Sequence, residues 1–207
     1  MPNVKIMLTK MRCLRETDEV GSDEPYVLVF AAMIEKVGGL VNIPSAATTI
    51  YGPWNNTDEG DLVETAVHLG GKQVMASKNF WGLDGHAQQL NDPDNVIFLA
   101  GLMENDDADT GGIRAALHAQ LFAAISSYAN SKMSRESMVK KLKGDMRDVL
   151  KGVTVTGLPN NDDFVGITEV RFGEQSLKEV EHQTIVKAYE LAGDGGRYRL
   201  RFEMKKG

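Results

Sequence analysis

The sequence predicts a mainly β protein, an antiparallel β-sandwich that carries an inserted α-helical hairpin. Three observations predict it. Short apolar or alternating runs occupy both halves of the chain, acidic and glycine-rich turns separate them, and a helix-forming block interrupts them from Gly112 to about Gly152.

The elements follow in order. Val4, Ile6 and Leu8 alternate with Lys5, Met7 and Thr9, as a strand with one buried face requires. Thr17 to Pro25 is rich in turn formers and carboxylates. Tyr26 to Ile34 is a β-branched and aromatic run, which suits a buried strand. Residues 38–95 give turn signals at Gly38-Gly39, Gly52-Pro53 and Gly70-Gly71 and a strand-like stretch over Thr48–Tyr51, but no continuous periodicity. Asn95 to Met103 is apolar and short for a helix, so it reads as a strand.

Composition then changes. Ile113, Ala116, Leu117, Leu121, Ala124 and Ile125 fall on one helical stripe. Asn130-Ser131 breaks it, and Ser134 with Glu136 and Ser137 restarts it in helix-start chemistry. Met138, Leu142, Met146, Val149 and Leu150 line the second helix, so residues 111–152 are expected to form an antiparallel hairpin within one sandwich domain of 1–207. Phe164–Phe172 and His182–Leu191 are expected strands. Gly193-Asp194-Gly195-Gly196 turns the chain into a last strand with Tyr198, Leu200, Phe202 and Met204 inward and Arg197, Arg199, Arg201 and Glu203 outward.

Bulk properties narrow the function classes. Apolar residues at 42% are enough for a core, and a net charge of −6 argues against generic nucleic-acid binding, which needs a basic face. No apolar run is long enough to span a bilayer, and the N-terminus lacks a signal-peptide core. A cytoplasmic or peripheral membrane location is expected, with leaderless secretion left open. One cysteine, Cys13, allows neither an internal disulfide nor a cysteine-built zinc site. The histidines His68, His86, His118 and His182 lack ligand spacing, and no nucleophile elbow, phosphate loop or dinucleotide fingerprint occurs, so no enzyme is expected.

Carboxylates gather at strand ends. Asp18, Glu19, Asp23 and Glu24 separate the first two strands; Glu104, Asp106, Asp107 and Asp109 follow the Asn95–Met103 run; Asp162 and Asp163 precede Phe164; and Asp58, Glu59 and Asp61 occupy another loop. If such groups converge they repel one another and their pKa values rise, unless a hard cation joins them. Calcium, which takes six to eight oxygens in flexible geometry, is the expected cofactor. Each cluster read singly is equally a solvated turn.

Order and spacing carry a resemblance. Glu24, six positions after Asp18, opens Glu24-Pro25-Tyr26-Val27; Pro53-Trp54-Asn55 follows; Glu104-Asn105-Asp106 closes one strand and Asp163-Phe164-Val165-Gly166 opens a later one. Tyr189, Leu191, Gly195-Gly196 and Tyr198–Met204 complete the series. On these motifs, over about half of its length, the chain resembles the C-two domain, the calcium- and phospholipid-binding β-sandwich of synaptotagmins and protein kinase C. The resemblance implies calcium held by Asp18, Glu24, Glu104, Asp106 and Asp163, with Asp23, Asp107 and Asp162 in reserve. Glutamate stands at 24 and 104 where the family has aspartate, and the hairpin falls inside the last ligand loop. The implied partner is an anionic phospholipid membrane surface or a protein. Lys140, Lys141, Lys143 and Arg147, on a basic second helix, are the expected lipid-contacting residues. The alternatives are a structural or secreted toxin or host-interaction protein that calcium stiffens, and a metal-dependent hydrolase.

Overall fold

A computed structural model describes residues 2–18, 22–34, 36–37, 40–41, 45–69, 72–82, 85–106, 109–131, 133–152 and 162–207. Its strands are β1 (Asn3–Arg15), β2 (Pro25–Met33), β3 (Lys36–Val37), β4 (Leu40–Val41), β5 (Ser45–Tyr51), β6 (Leu62–Glu64), β7 (Val67–Leu69), β8 (Lys72–Met75), β9 (Gln88–Gln89), β10 (Val96–Glu104), β11 (Asp163–Glu169), β12 (Ile185–Gly193) and β13 (Gly196–Lys206). Helices α1 (Thr110–Asn130) and α2 (Arg135–Leu150) fall between β10 and β11, and α3 (Glu174–Glu179) falls between β11 and β12.

Two antiparallel sheets form a β-sandwich. The first runs β12-β13-β1-β6 with β9 also on β1, and the second runs β11-β10-β2-β5. Alternation explains the first sheet: Ile6 lies opposite Met204, Leu8 opposite Phe202, Met11 opposite Leu200 and Cys13 opposite Tyr198, all buried. This apolar ladder faces Val27, Val29, Ala31, Phe98, Ala100 and Leu102 of the second sheet. Phe80 and Trp81 close the core edge-on to Phe98, each with ring centroids 5.4 Å away.

The second sheet is buried on both faces, as the unbroken apolar runs of β2 and β10 require. Its outer face presents Tyr26, Leu28, Phe30, Ile97, Leu99 and Met103 to Leu117, Leu121, Ile125, Leu142, Met146 and Leu150 of the helical hairpin. Asp109 caps α1 by accepting from Gly111 N, and Ser134 caps α2 by accepting from Ser137 N. The hairpin is thus a third layer.

Several sequence expectations shift. β1 continues to Arg15 because register breaks after Leu8 and after Cys13 keep its apolar residues inward. The strand expected over 164–172 ends at Glu169, and α3, which was not expected, follows it. The strand expected from His182 starts at Ile185, because residues 180–183 turn out of α3. The described residues of 38–95 include β4 to β9; Gly38-Gly39 and Gly70-Gly71 lie outside the described residues, and their flanks pair as β3–β4 and β7–β8.

Candidate cation-binding rim

One end of the sandwich collects most of the predicted acids, and the register explains why. The end of β10 lies opposite the start of β2 and the start of β11, through Glu104 with Pro25 and Glu104 with Asp163. The end of β1 meets the start of β13 at Arg15 and Arg197, which places the β12–β13 turn beside the segment carrying Thr17 and Asp18. A Cβ added at Gly195 would collide with the Asp18 carboxylate, and one at Gly193 would collide with Val165 O. Sequence-distant carboxylates therefore share one rim.

They divide into two groups. Asp23, Asp162 and Glu104 are buried and serve as brackets. Asp23 accepts from Thr17 N at 3.0 Å, from Thr17 Oγ1 at 2.8 Å and from the Tyr198 hydroxyl. Asp162 accepts from Tyr26 OH at 2.6 Å and from Asp106 N at 3.1 Å. Glu104 Oε1 accepts from Glu24 N at 2.8 Å. Burial, then the hydrogen bond to a carboxylate, pushes the Tyr26 and Tyr198 hydroxyls well above their ordinary pKa, so both remain donors. The brackets hold the loops in register.

Asp163, Asp194 and Asp106 form the second group. Burial raises the pKa of Asp163, and the charge of Asp194, a hydrogen bond to it and the charges of Asp106 and Asp162 raise it further. The ionised form of Asp163 is thus disfavoured by its surroundings. Glu24 lies beside it, with Oε2 accepting from Asn105 Nδ2 at 3.3 Å, and Asn105 Oδ1 is buried with no hydrogen-bond partner. Asp18 is exposed and lies 3.9 Å from Arg15.

The donor chemistry of this corner fits a hard divalent cation: carboxylate oxygens held together against repulsion, and an amide oxygen in want of a positive partner. Among the described residues, no three acidic, histidine or cysteine side chains already surround one point as a metal-holding group. Asp107, the eighth predicted ligand, lies outside the described residues. Asp194 was missed from the sequence, where its segment reads only as a glycine turn; its signal was an acid at a strand end, the same signal as in the other loops.

The predicted lipid-contacting residues lie on α2, away from the sheets. Lys140, Lys141 and Arg147 are exposed and Lys143 is half-buried. Lys141 Nζ stands 5.1 Å from the centroid of the Tyr128 ring. Arg135 ties the start of α2 to Val96 O and Glu169 at the far end of the sheet, so the helix runs toward the rim and Arg147 lies nearer to it than Lys140 does. No described helix is long and apolar enough to cross a membrane.

No protein-family model matches the chain, and no curated protein matches it. Among solved structures it is similar to the first C-two domain of plant Extended Synaptotagmin 1, at 13% identity over 100% of this chain and 98% of that one, with a TM-score of 0.33.

Proposed function

We propose that the protein is a calcium-binding β-sandwich module that engages an anionic phospholipid surface, or a protein partner, in a calcium-dependent manner. The observation that carries this reading is the approach of Asp106 and Asp194 to Asp163, whose pKa is raised first by burial and then by these neighbouring carboxylates. The resemblance of Glu24–Val27 and Asp163–Gly166 to the C-two ligand loops supports it, since both segments border this corner.

Each residue has a task. Asp23, Asp162 and Glu104, bonded to Thr17, Tyr26, Tyr198 and Glu24 N, keep the three loops at fixed spacing. Asp106, Asp163 and Asp194 supply carboxylate oxygens, and Glu24, Asn105 and Asp18 border them. When bound, calcium supplies positive charge that reverses the local potential of an acidic rim. Calcium binds the ionised carboxylate, and the Asp163 pKa is raised by burial and by its carboxylate neighbours, so affinity should fall as pH drops through the range where Asp163 takes up a proton.

Calorimetric titration with calcium tests the site. Asp106→Asn with Asp163→Asn should abolish the binding heat, and unchanged binding in that variant defeats the reading. Sedimentation with phosphatidylserine-containing vesicles should then show a calcium-induced increase that chelator removes. A calcium-dependent rise in Tm without any lipid response would favour the stiffening role instead.

A further inference from the structure

The two sheets differ on their outer faces. The hairpin covers the second, whereas among the described residues no helix packs on the first. On that open face β1 and β13 place like charges directly opposite one another: Arg15 with Arg197, Arg12 with Arg199, and Lys10 with Arg201. After the Met7 and Glu203 pair the pattern resumes with Lys5 opposite Lys205. Directly opposed like charges on antiparallel strands destabilise a sheet. Four such pairs in one ladder oppose folding, and neighbouring acids relieve only some of them.

The acids on this face offset only part of the charge. Glu64 pairs with Lys10 at 2.6 Å, Glu190 pairs with Arg199, and Glu203 takes Arg201 at 3.1 Å and Lys205 at 2.9 Å. Lys5, Arg12 and Arg197 make no ion pair among the described residues and are exposed. A basic ladder therefore stands on a chain of net charge −6, running along the open face from Lys5 and Lys205 to Arg15 and Arg197, where it meets the acidic rim and Arg15 lies 3.9 Å from Asp18.

We infer that this face is a calcium-independent docking surface for a bilayer rich in anionic phospholipid. Charge complementarity selects a polyanion, and the remaining side chains select a lipid one. Leu62, beside Arg12, and Val186, beside Glu203, are exposed by 48% and 43% and flank the basic rows with apolar groups. Basic rows flanked by exposed apolar side chains suit the headgroup boundary. The outward positions of β1, β12 and β13 carry no aromatic side chain on which a base could stack, as single-stranded nucleic acid would require. The inference does not rest on calcium or on Asp106, Asp163 and Asp194, although the Arg15 end of the ladder reaches Asp18 at the rim.

Vesicle sedimentation in chelator tests it, with phosphatidylcholine alone against phosphatidylcholine mixed with phosphatidylserine. The intact chain should bind only the anionic vesicles, with affinity falling as salt rises. Arg12→Gln with Arg197→Gln should weaken this binding by about thirtyfold, from the usual contribution of two basic side chains near such a surface. Neither residue makes an ion pair among the described residues and each faces another arginine, so the Tm of the variant should hold or rise; Arg12→Lys with Arg197→Lys should keep binding. Absence of binding in chelator, wild-type binding by the glutamine variant, or preference for a single-stranded oligonucleotide would each overturn the inference. Asp106→Asn with Asp163→Asn should leave the chelated binding intact, which separates this face from the calcium reading.

Discussion

Asp163 shows how one side chain reports on its surroundings. Its raised pKa means that the folded state holds the proton more tightly than the unfolded chain does. The group therefore contributes full stability below the unfolded aspartate value, and that contribution is lost as pH rises through the raised folded value. In chelator at neutral pH, Asp163→Asn should raise Tm, because the amide removes the charge that burial and the neighbouring carboxylates disfavour. The gain should vanish in acid; an equal gain at all pH values would mean that charge is not its cause. Tyr198 makes the opposite case. Its hydroxyl is one of the donors to buried Asp23, so Tyr198→Phe should cost about 1–3 kcal/mol in urea unfolding. Loss of less than a few tenths would show that Thr17 alone satisfies the carboxylate.

Strand β10 is the element on which both cores depend. It sends Phe98, Ala100 and Leu102 into the sandwich and Ile97, Leu99 and Met103 toward the helices. Gly101 lets α2 settle on it: a Cβ there would stand 2.7 Å from Met146 Cε and 2.8 Å from Leu150 Cδ1. Both atoms end flexible side chains, so Gly101→Ala should be absorbed by small shifts. Gly101→Val overpacks the contact and should cost about 1–3 kcal/mol by chemical denaturation. An unchanged midpoint would mean that α2 can move off the strand freely. Arg135, whose side chain is only 11% exposed, anchors the other end of α2 through Val96 O and Glu169.

The three layers make the hairpin part of the fold rather than an appendage. Without it, Leu28, Phe30, Ile97 and Leu99 would form an exposed apolar patch on the second sheet. A chain with residues 110–150 replaced by a Gly-Ser linker should therefore associate or precipitate, as gel filtration would show. A monodisperse product would show that the sandwich folds without its third layer. The same layering leaves the first sheet as the broad open face, and its basic ladder lies there. The molecule thus separates its charges, with carboxylates at one end and opposed cations along one side.

Much of this was legible along the chain because the signals are local. Alternation in β1 and β13, the solid apolar runs of β2 and β10, the Ser134 cap and the stripe of α2 each depend on residues a few positions apart, and each is where periodicity and capping place it. Acids at strand ends were legible in the same way. Which carboxylates bracket loops and which repel one another was not, because that depends on partners distant in sequence: Tyr198 for Asp23, Tyr26 for Asp162, Asp194 for Asp163. The opposed arginines were equally hidden. Each strand alone shows an ordinary polar face, and the repulsion arises only when the first and last strands pair in register. A carboxylate or a guanidinium acquires its energy from the field around it, and folding sets that field.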